Sequence, residues 1–212
     1  MAEADKIFAG SIPEIYDRYL VPLIFDAYAL DLAERVAESG PHDVLEVATG
    51  TGALTRAMAS RLPAYYAHIV ATDLNRPMLD HAKARQSHAD RIEWKQADAL
   101  ALPFEDEGFD AVACQFGVMF FPDKIQGYKQ ARRVLKPGGR FLFNVWDRIS
   151  ENEFANVVNE ALTVFFPRDA PCFMARTPHG YHDVERIRAE LNAAGFANVS
   201  VETVDDISEA SS

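Results

Sequence analysis

The residues best suited to chemistry in this sequence lie in a short glycine-containing turn between two regular segments. The apolar run from Val44 to Val47 is typical of a buried strand, and a helix is predicted to begin near Ala53. The turn between them carries Gly50 and Gly52. A strand, a glycine turn and a helix in this order place backbone N–H groups and a helix N-terminus over the carboxyl end of the strand. Open α/β sheets bind their ligands there, so the turn is interpreted as a cofactor-binding loop.

The residues around the two glycines narrow the type of cofactor. Dinucleotide-binding folds use G-x-G-x-x-G, in which the third glycine allows a helix to pack closely under a pyrophosphate. Thr55 stands at the position of that third glycine, and Glu46 precedes the turn. A carboxylate there would repel a pyrophosphate but could organise a ligand that bears an ammonium group. The loop therefore disfavours a dinucleotide.

The elements that must position this loop alternate between strands and helices. Such alternation indicates a mostly parallel sheet with helices on both faces, a doubly wound α/β fold. Segment 167–181 is predicted to be a loop. Further strands are predicted at 68–72, 92–96, 109–116, 140–146 and 199–204, and helices at 76–88, 123–135, 151–166 and 183–194, with a stop-and-turn signal at 136–139.

No domain linker is visible, so we predict one domain over residues 1–212. Apolar and aromatic residues recur at helical spacing over 11–39, which predicts an N-terminal helical cap within 1–40. This cap covers one side of the sheet; alternatively, Tyr16 or Tyr19 also covers the cofactor site. A cofactor-binding core at 41–204 and a polar tail at 205–212 complete the expected organisation.

Composition excludes several classes of function. The chain has a net charge of -11, with 32 acidic and 21 basic residues, whereas nucleic-acid binding depends on Lys and Arg, so no nucleic-acid partner is expected. The 2 cysteines make no disulfide framework, and Cys114 is expected to be a buried free thiol. The N-terminus lacks a secretory signal, and the longest apolar stretch, 19–32, is interrupted by proline and acidic residues. A cytoplasmic protein without a membrane partner is the expectation.

Residues Glu46 to Gly52 resemble the E/D-x-G-x-G-x-G motif of class I S-adenosylmethionine-dependent methyltransferases, a group that includes the ubiquinone/menaquinone-type and other small-molecule enzymes. Further features match in the family's order: Asp73 after the second strand, Asp98-Ala99 after the third, 109–112 in the fourth and 135–139 before the fifth. The resemblance spans residues 40–204. It implies a Rossmann-like sheet, S-adenosylmethionine as the cofactor and transfer of a methyl group to a small, aromatic or lipophilic molecule.

The resemblance also implies how the nucleoside would be held. Asp73 would accept hydrogen bonds from both ribose hydroxyls, although enzymes that use NAD place an acid similarly. Asp98 would accept from the adenine amino group, and the Ala99 N–H would donate to a ring nitrogen. Leu74 and Met78 would enclose the adenine, but ordinary core residues at a helix start would look the same.

The amino-acid end of the cofactor would lie on the other side of the loop. Gly50 and Gly52 would let the backbone approach the methionine part, and Gln115 and Phe116 would line the approach to the sulfonium. The complete expected set of cofactor-binding residues is Tyr16, Tyr19, Glu46, Ala48, Gly50, Gly52, Asp73, Leu74, Met78, Asp98, Ala99, Gln115 and Phe116.

Two departures from the family pattern affect these expectations. Ala48 replaces the first glycine of the motif, which affects the fine geometry of the loop. Family members also end with a sixth strand and an antiparallel seventh strand, whereas the last residues here, 205–212, are polar, so the final antiparallel strand is expected to be missing. Either the sequence is truncated or something else covers that sheet edge, and the expected outcome is marginal stability or homodimerisation.

The methyl acceptor is less constrained by the sequence. A dedicated base is optional, since a phenol or carboxylate can arrive ionised while an alcohol or carbon acid needs one. His179 and His182 could serve as a base or a weak metal pair, but such a pair in a loop is more often exposed, so no catalytic residue and no metal are assigned. The expected acceptor pocket is rich in aromatic side chains: Met119, Phe120, Phe121, Trp146, Asp147, Phe173, His179, Tyr181 and His182.

Two alternatives to a methyltransferase remain at the level of sequence. One is a non-catalytic protein that binds S-adenosylmethionine for regulation or assembly. The other is an NAD-dependent oxidoreductase on a similar fold, which Thr55 and Glu46 oppose.

Overall fold

The sheet is built outward from β1 (Asp43–Val47), the strand that precedes the glycine turn. The structure is a computed structural model that describes residues 12–86, 91–166 and 172–208. Within these ranges β1 pairs with a parallel strand on each side, and the order of the sheet is β3-β2-β1-β4-β5. All pairings are parallel, and the other strands are β2 (His68–Asp73), β3 (Ile92–Gln96), β4 (Phe109–Gln115) and β5 (Leu135–Asn144).

Helices connect the strands and cover both faces of the sheet. The chain enters the sheet through a short α1 (Ile12–Ile15), a π-helix (Tyr16–Phe25) that contains Pro22, and α2 (Asp26–Ala37). The helices that follow are α3 (Ala53–Arg61), α4 (Arg76–Arg85), α5 (Lys124–Val134), α6 (Glu153–Phe165), α7 (Phe173–Arg176) and α8 (Val184–Ala193), with short 3-10 turns at Val118–Phe120 and Ile149–Glu151.

The core consists of two apolar layers, one on each face of the sheet. Successive side chains of a strand point to opposite faces, so Val44 packs in one layer and Leu45 in the other, and both are fully buried. The layer around Val44 is completed by α2 and α3, and the layer around Leu45 by α5 and α8. This arrangement confirms the predicted doubly wound α/β fold, and the predicted strands and helices through α5 lie within a few residues of their expected bounds.

The predicted turn before the fifth strand is instead a bulge within β5. Phe109 pairs with Leu135 and Ala111 pairs with Arg140, so the register shifts between these positions. Gly138 accommodates the extra backbone with a φ of 83°. β5 therefore starts directly after α5 and ends at Asn144, two residues earlier than predicted.

The predicted sixth strand at 199–204 is wrong. Its apolar alternation resembles that of a half-buried strand, but the backbone there forms no ladder with β5 or with any other part of the described chain. A strand needs a paired neighbour to satisfy its main-chain groups, and without one this segment remains irregular. Side-chain contacts hold it instead: Arg35 Nη1 lies 2.6 Å from Glu202 Oε2, and Arg188 Nη1 donates to the Val199 carbonyl at 2.5 Å.

Other expectations fall partly outside the described residues. The helix predicted to reach His88 is seen to Arg85, and 87–90 are not described. The first eleven residues of the predicted cap, residues 167–171 of the predicted loop and residues 209–212 of the predicted tail also lie outside the described residues. The division into cap, core and tail stays a prediction.

Candidate active site

A cleft lies over the carboxyl ends of β1, β2, β3 and β4, next to the point where the strand order reverses. This is where open α/β sheets bind ligands. The cleft continues along the outer edge of β5 beside segment 199–208. Its volume of 2270 Å³ exceeds the roughly 300–1,000 Å³ of a small-molecule pocket because the two regions are joined.

The glycine turn after β1 has a backbone that ordinary residues rarely adopt. Ala48 has a φ of 57° and Gly50 has the same value. A side chain in this left-handed region costs about 1–2 kcal/mol, which gives the substitution at Ala48 a physical meaning: the loop is strained there. Both residues line the cleft, whereas Gly52 does not. A Cβ at Gly52 would lie 3.2 Å from Ala82 Cβ, so that glycine serves the packing of α3 against α4.

Glu46 lies beneath the turn and does not line the cleft. Its side chain is 1% exposed, and Oε2 accepts a 2.5 Å hydrogen bond from the Thr55 hydroxyl. Because Thr55 donates to Glu46, the Thr49 hydroxyl donates in turn to Thr55, at 2.6 Å. Burial raises the pKa of Glu46 to about 7, against the lowering effect of these hydroxyls. Thr55, noted in the sequence as a missing glycine, is thus part of the network that shapes the turn.

Asp73, at the end of β2, connects the turn to the next strand. Its Oδ2 accepts a 2.9 Å hydrogen bond from the Gly50 N–H, and its Oδ1 accepts one of 2.7 Å from the Asn75 N–H. The carboxylate lines the cleft although the residue is 7% exposed, and burial raises its pKa. Oδ1 also accepts a 3.4 Å hydrogen bond from Asn75 Nδ2, whereas Oδ2 keeps a further lone pair, so Asp73 can still accept a hydrogen bond from a ligand.

The expected adenine-binding residues all line one end of the cleft. Met78 is buried, while Leu74 is 48% exposed at the mouth. Asp98 is exposed and accepts a 2.9 Å hydrogen bond from the Leu100 N–H, and Ala99 follows it along the wall. These side chains provide two apolar surfaces and one acidic acceptor at the place predicted for a nucleobase.

Gln115 and Phe116, after β4, line the other end. Gln115 Nε2 donates to the Phe25 carbonyl at 2.9 Å, which ties β4 to the N-terminal helices. Phe116 has a φ of 47°, and its N–H donates to Asn144 Oδ1 at 2.9 Å. Asn144, at the end of β5, therefore holds Phe116 in its unusual conformation; nothing in the sequence motifs pointed to it.

Aromatic rings form a continuous wall beside Phe116. The Phe116 and Trp146 rings stack with centroids 4.0 Å apart and planes 10° from parallel. Phe25 and Tyr28 meet both rings edge-on or tilted, with centroids 5.4–5.8 Å apart. All four rings line the cleft. We call Phe25, Tyr28, Phe116 and Trp146 the aromatic wall.

The two tyrosines of the π-helix differ in position. Tyr16 lines the cleft and stacks on Phe25 at 5.1 Å, and burial together with the charge of Asp73 raises its pKa. Tyr19 is 57% exposed and lies outside the cleft, with the Arg18 guanidinium over its ring. The structure thus brings Tyr16, but not Tyr19, to the expected cofactor site.

A buried carboxylate in the π-helix anchors it to the rest of the site. The Asp17 side chain is 2% exposed and lies 2.8 Å from Arg85 Nε, 3.2 Å from Arg56 Nη2 and 3.3 Å from His81 Nε2. Arg56 also donates to the Thr51 carbonyl of the glycine turn at 2.7 Å. The helix is therefore linked to the turn through one arginine, a relationship that sequence spacing cannot reveal.

The segment that follows α7 differs from the exposed loop that the sequence predicted for its two histidines. His179 is 5% exposed, and its Nδ1 lies 2.8 Å from the Asp147 carbonyl. His182 is half-buried, with Nδ1 2.8 Å from the His179 carbonyl. The expected exposure of His179 was wrong because the adjacent Tyr181 is anchored in the core, where its hydroxyl donates to Glu190. Of the expected acceptor-pocket residues, those that line the cleft are Phe120, Phe121, Trp146, Asp147, Phe173, His179 and His182; Met119 and Tyr181 do not.

Comparison with known proteins agrees with this geometry. A family model described as a methyltransferase domain matches residues 44–139. A demethylmenaquinone methyltransferase of Clavibacter sepedonicus is 32% identical over 173 residues, which cover 77% of this chain and 69% of the relative. One of Thermus thermophilus is also 32% identical and covers 80% of this chain and 79% of the relative.

Solved structures share the fold. A Bacillus halodurans protein described as a methyltransferase is 30% identical, with a TM-score of 0.59, and covers 80% of this chain and 69% of its own. A phosphoethanolamine N-methyltransferase of Haemonchus contortus, solved with S-adenosylhomocysteine, has a TM-score of 0.64 at 19% identity, covering 91% of this chain and 43% of its own. These similarities agree with the two structural features of the site, the strand that leads into the glycine turn and the acid after β2. The chain belongs to the class I S-adenosylmethionine-dependent methyltransferases of the ubiquinone/menaquinone type.

Proposed function

We propose that this enzyme methylates a flat, aromatic or otherwise lipophilic small molecule, with quinones as the best-supported class. The observation that carries the proposal is the aromatic wall. Its stacked pair consists of Phe116, the residue after β4, and Trp146, two residues after β5, and lines the same cleft as the expected cofactor residues. Stacked and edge-on rings favour a flat apolar ligand over a charged or aliphatic one.

The cleft residues fit S-adenosylmethionine. The Thr51 hydroxyl oxygen is buried without a hydrogen-bond partner among the described residues, and Thr51 lines the cleft. A Cβ placed on Gly50 would meet nothing within 4 Å, so open space lies over the turn. We propose that Asp73 holds the ribose, that Asp98, Ala99, Leu74 and Met78 hold the adenine, and that the remaining cleft-lining residues of the expected set, Tyr16, Ala48, Gly50, Gln115 and Phe116, surround the rest of the cofactor. When bound, the cofactor supplies a methyl group on a cationic sulfonium.

The chain's own contribution is to align the acceptor and exclude water. The rate of an in-line transfer that disperses charge is raised most by such positioning. Phe25 and Tyr28 come from the N-terminal helices and close the cleft over Phe116 and Trp146. Further apolar side chains from α6 and the region of α7, including Phe154, Val158 and Met174, extend the lining. This continuous apolar surface supports a lipophilic acceptor.

The names of relatives agree with this class of acceptor. Demethylmenaquinone methyltransferases are among the similar proteins, as is a ubiquinone/menaquinone biosynthesis C-methyltransferase of Cronobacter sakazakii that is 34% identical over 177 residues and covers 74% of this chain and 67% of the relative. We extend the acceptor class suggested by those names to this enzyme because its aromatic wall suits a flat ring.

The proposal is tested by methyl transfer from labelled S-adenosylmethionine to three acceptors: a naphthoquinol, a simple phenol and an aliphatic carboxylic acid of similar size. We expect label in the quinol or the phenol and none in the aliphatic acid. A Trp146→Leu variant should raise KM for the aromatic acceptor while leaving the affinity for S-adenosylhomocysteine, measured by calorimetry, unchanged. Label in the aliphatic acid alone would contradict the proposal.

Other expectations about partners stay predictions. Homodimerisation is checked by light scattering, in which a monomer with a high melting temperature would count against it. The absence of a nucleic-acid partner is checked by titration with labelled DNA and RNA at low salt. Within the described parts of the chain, no helix is both long and apolar enough to cross a membrane.

A further inference from the structure

We propose that His179 is the general base of this enzyme and that its Nε2 accepts the proton which the methyl acceptor loses. This inference rests on the proposed function, since it concerns an acceptor that arrives protonated. Such an acceptor needs a nearby base, whereas one that arrives ionised does not.

The position of His179 is fixed by its own backbone and by its neighbours. Its N–H donates to the Met174 carbonyl at 3.0 Å, and a Cβ at the next residue, Gly180, would clash with the Arg176 carbonyl oxygen. No side chain fits at Gly180 without a shift of the backbone. Two residues on, Tyr181 donates to Glu190 Oε2 at 2.5 Å, which fastens the segment to α8. The imidazole is therefore held by a rigid turn.

The contact at Nδ1 determines which nitrogen is free to accept a proton. Nδ1 lies 2.8 Å from the Asp147 main-chain carbonyl, a group that can only accept hydrogen bonds. The hydrogen of the neutral ring must then reside on Nδ1. Nε2 consequently carries the lone pair, which is the arrangement a base requires.

Nε2 is not sealed from solvent. It makes no hydrogen bond to any described residue, and Thr51 Oγ1 alone among the described side-chain polar atoms is sealed from solvent without a partner. His179 lines the cleft, and its ring lies 5.9 Å from that of Trp146 in the aromatic wall. A flat acceptor placed against this wall would therefore lie beside the free nitrogen.

The surroundings of His179 favour the neutral ring before the reaction. Burial is the largest influence and lowers its pKa, and the neighbouring His182 lowers it further. Asp147 opposes both, through its carbonyl and through its charge. The neutral form therefore predominates at pH 7, and the Asp147 carboxylate lies where it can stabilise the imidazolium that forms.

The proton balance is simple. The O–H or C–H bond of the acceptor breaks, its electron pair stays on the acceptor as the nucleophile, and the proton bonds to Nε2. The ring becomes a cation and later releases the proton to solvent.

The test compares His179→Gln and His179→Ala with a matched exchange, His42→Gln, at an exposed residue near the opposite ends of the strands. We expect both His179 variants to lose about 100-fold or more in kcat for a phenol or quinol acceptor. Their affinity for S-adenosylhomocysteine should not change, the acid limb of the pH profile should disappear, and added imidazole should restore activity to His179→Ala. His42→Gln should behave as the wild type.

Nitrogen NMR of the free enzyme gives a readout that does not depend on activity. The His179 ring should be in the Nδ1–H form and should titrate below the ordinary histidine value of about 6.5. An Nε2–H form, a kcat within threefold of the wild type, a loss without imidazole rescue, or a larger loss in His182→Gln would each overturn the role of His179. A wild-type enzyme that methylates no aromatic acceptor would instead contradict the proposed function, while the NMR result would stand by itself.

Discussion

The Gly50 N–H donates a 2.9 Å hydrogen bond to Asp73 Oδ2 and thereby joins the glycine turn after β1 to the end of β2. These two strands are parallel neighbours, so their carboxyl ends meet at one edge of the sheet. The same carboxylate that fixes the turn also lines the cleft. Loop shape and the proposed ribose recognition therefore depend on one side chain.

Replacement of Asp73 by Asn should weaken cofactor binding more than it weakens the fold. An amide presents one acceptor oxygen instead of two, so either Gly50 or Asn75 faces an NH2 group, and the charge-assisted bonds to a ribose are lost. Hydrogen bonds to charged groups contribute about 1.5–3 kcal/mol, which corresponds to a roughly 10- to 100-fold loss of affinity for S-adenosylhomocysteine by calorimetry. Asp80→Asn, at an exposed residue of α4, is the matched control. Equal affinities for the two variants would contradict the role of Asp73.

Glu46 should make stability depend on pH. Burial raises its folded-state pKa to about 7, above the ordinary glutamate value of 4.5. A carboxyl group whose pKa is raised on folding favours the folded state while it is protonated, so this contribution is complete below pH 4.5 and is lost as pH rises through 7. The full difference is at most about 3.5 kcal/mol, because one pKa unit corresponds to about 1.4 kcal/mol.

The Glu46→Gln variant separates this effect from other titrations. Its amide oxygen can still accept the Thr55 hydroxyl, but it carries no charge. Denaturant unfolding between pH 5 and 8 should show a flatter stability profile than that of the wild type, with the variant as stable or more stable at pH 8. Glu93→Gln, at an exposed position of β3, should leave the wild-type profile unchanged. A steeper fall for Glu46→Gln would refute the assignment.

The sequence predicted the glycine turn and Asp73 because local pattern determines them. The buried strand, the turn and the helix follow one another directly in the sequence. An acid that follows the next parallel strand must then lie beside this turn. The burial of His179 could not be predicted, because it depends on the packing of Tyr181 against α5, whose Tyr128 lies 53 residues earlier in the chain. The prediction of a sixth strand was wrong for a related reason. The alternation of apolar and polar residues at 199–204 indicates which face would be buried, but it does not indicate a partner strand.

Exchanges at the strained turn should have opposite effects on stability. Ala48→Gly removes the left-handed strain of about 1–2 kcal/mol but makes the unfolded chain more flexible by about 0.5–1 kcal/mol, so stability should stay constant or rise by about 1 kcal/mol. Gly50→Ala introduces the same strain of about 1–2 kcal/mol, offset by about 0.5–1 kcal/mol because the unfolded chain becomes less flexible, so it should lower the free energy of unfolding by up to about 1.5 kcal/mol. It also places a methyl group in the cleft and should weaken S-adenosylhomocysteine binding. Calorimetric melting of both variants measures the direction of each change in stability. A Gly50→Ala variant more stable than the wild type would contradict the left-handed backbone at Gly50.

Asp17→Asn should detach the π-helix from the turn. The side chain is 2% exposed and faces two arginines, Arg56 and Arg85, as well as His81, so its neutralisation leaves Arg56 without its buried counter-charge. Removal of one partner from a fully buried pair costs about 3–5 kcal/mol, and because Arg56 and Arg85 are partly exposed we expect about 2 kcal/mol in unfolding experiments.

Asp17→Asn should also weaken cofactor binding, because Arg56 donates a hydrogen bond to the Thr51 carbonyl of the glycine turn. We expect a several-fold higher Kd for S-adenosylhomocysteine and faster proteolysis near the N-terminus in Asp17→Asn. Asp31→Asn, which removes the charge from a half-buried i,i+4 pair with Arg35 on α2, should cost less than about 1 kcal/mol and leave the Kd unchanged. If both variants bind alike, the π-helix acts only as a cover for the sheet. If Asp17→Asn alone weakens binding, the buried carboxylate positions the turn through Arg56.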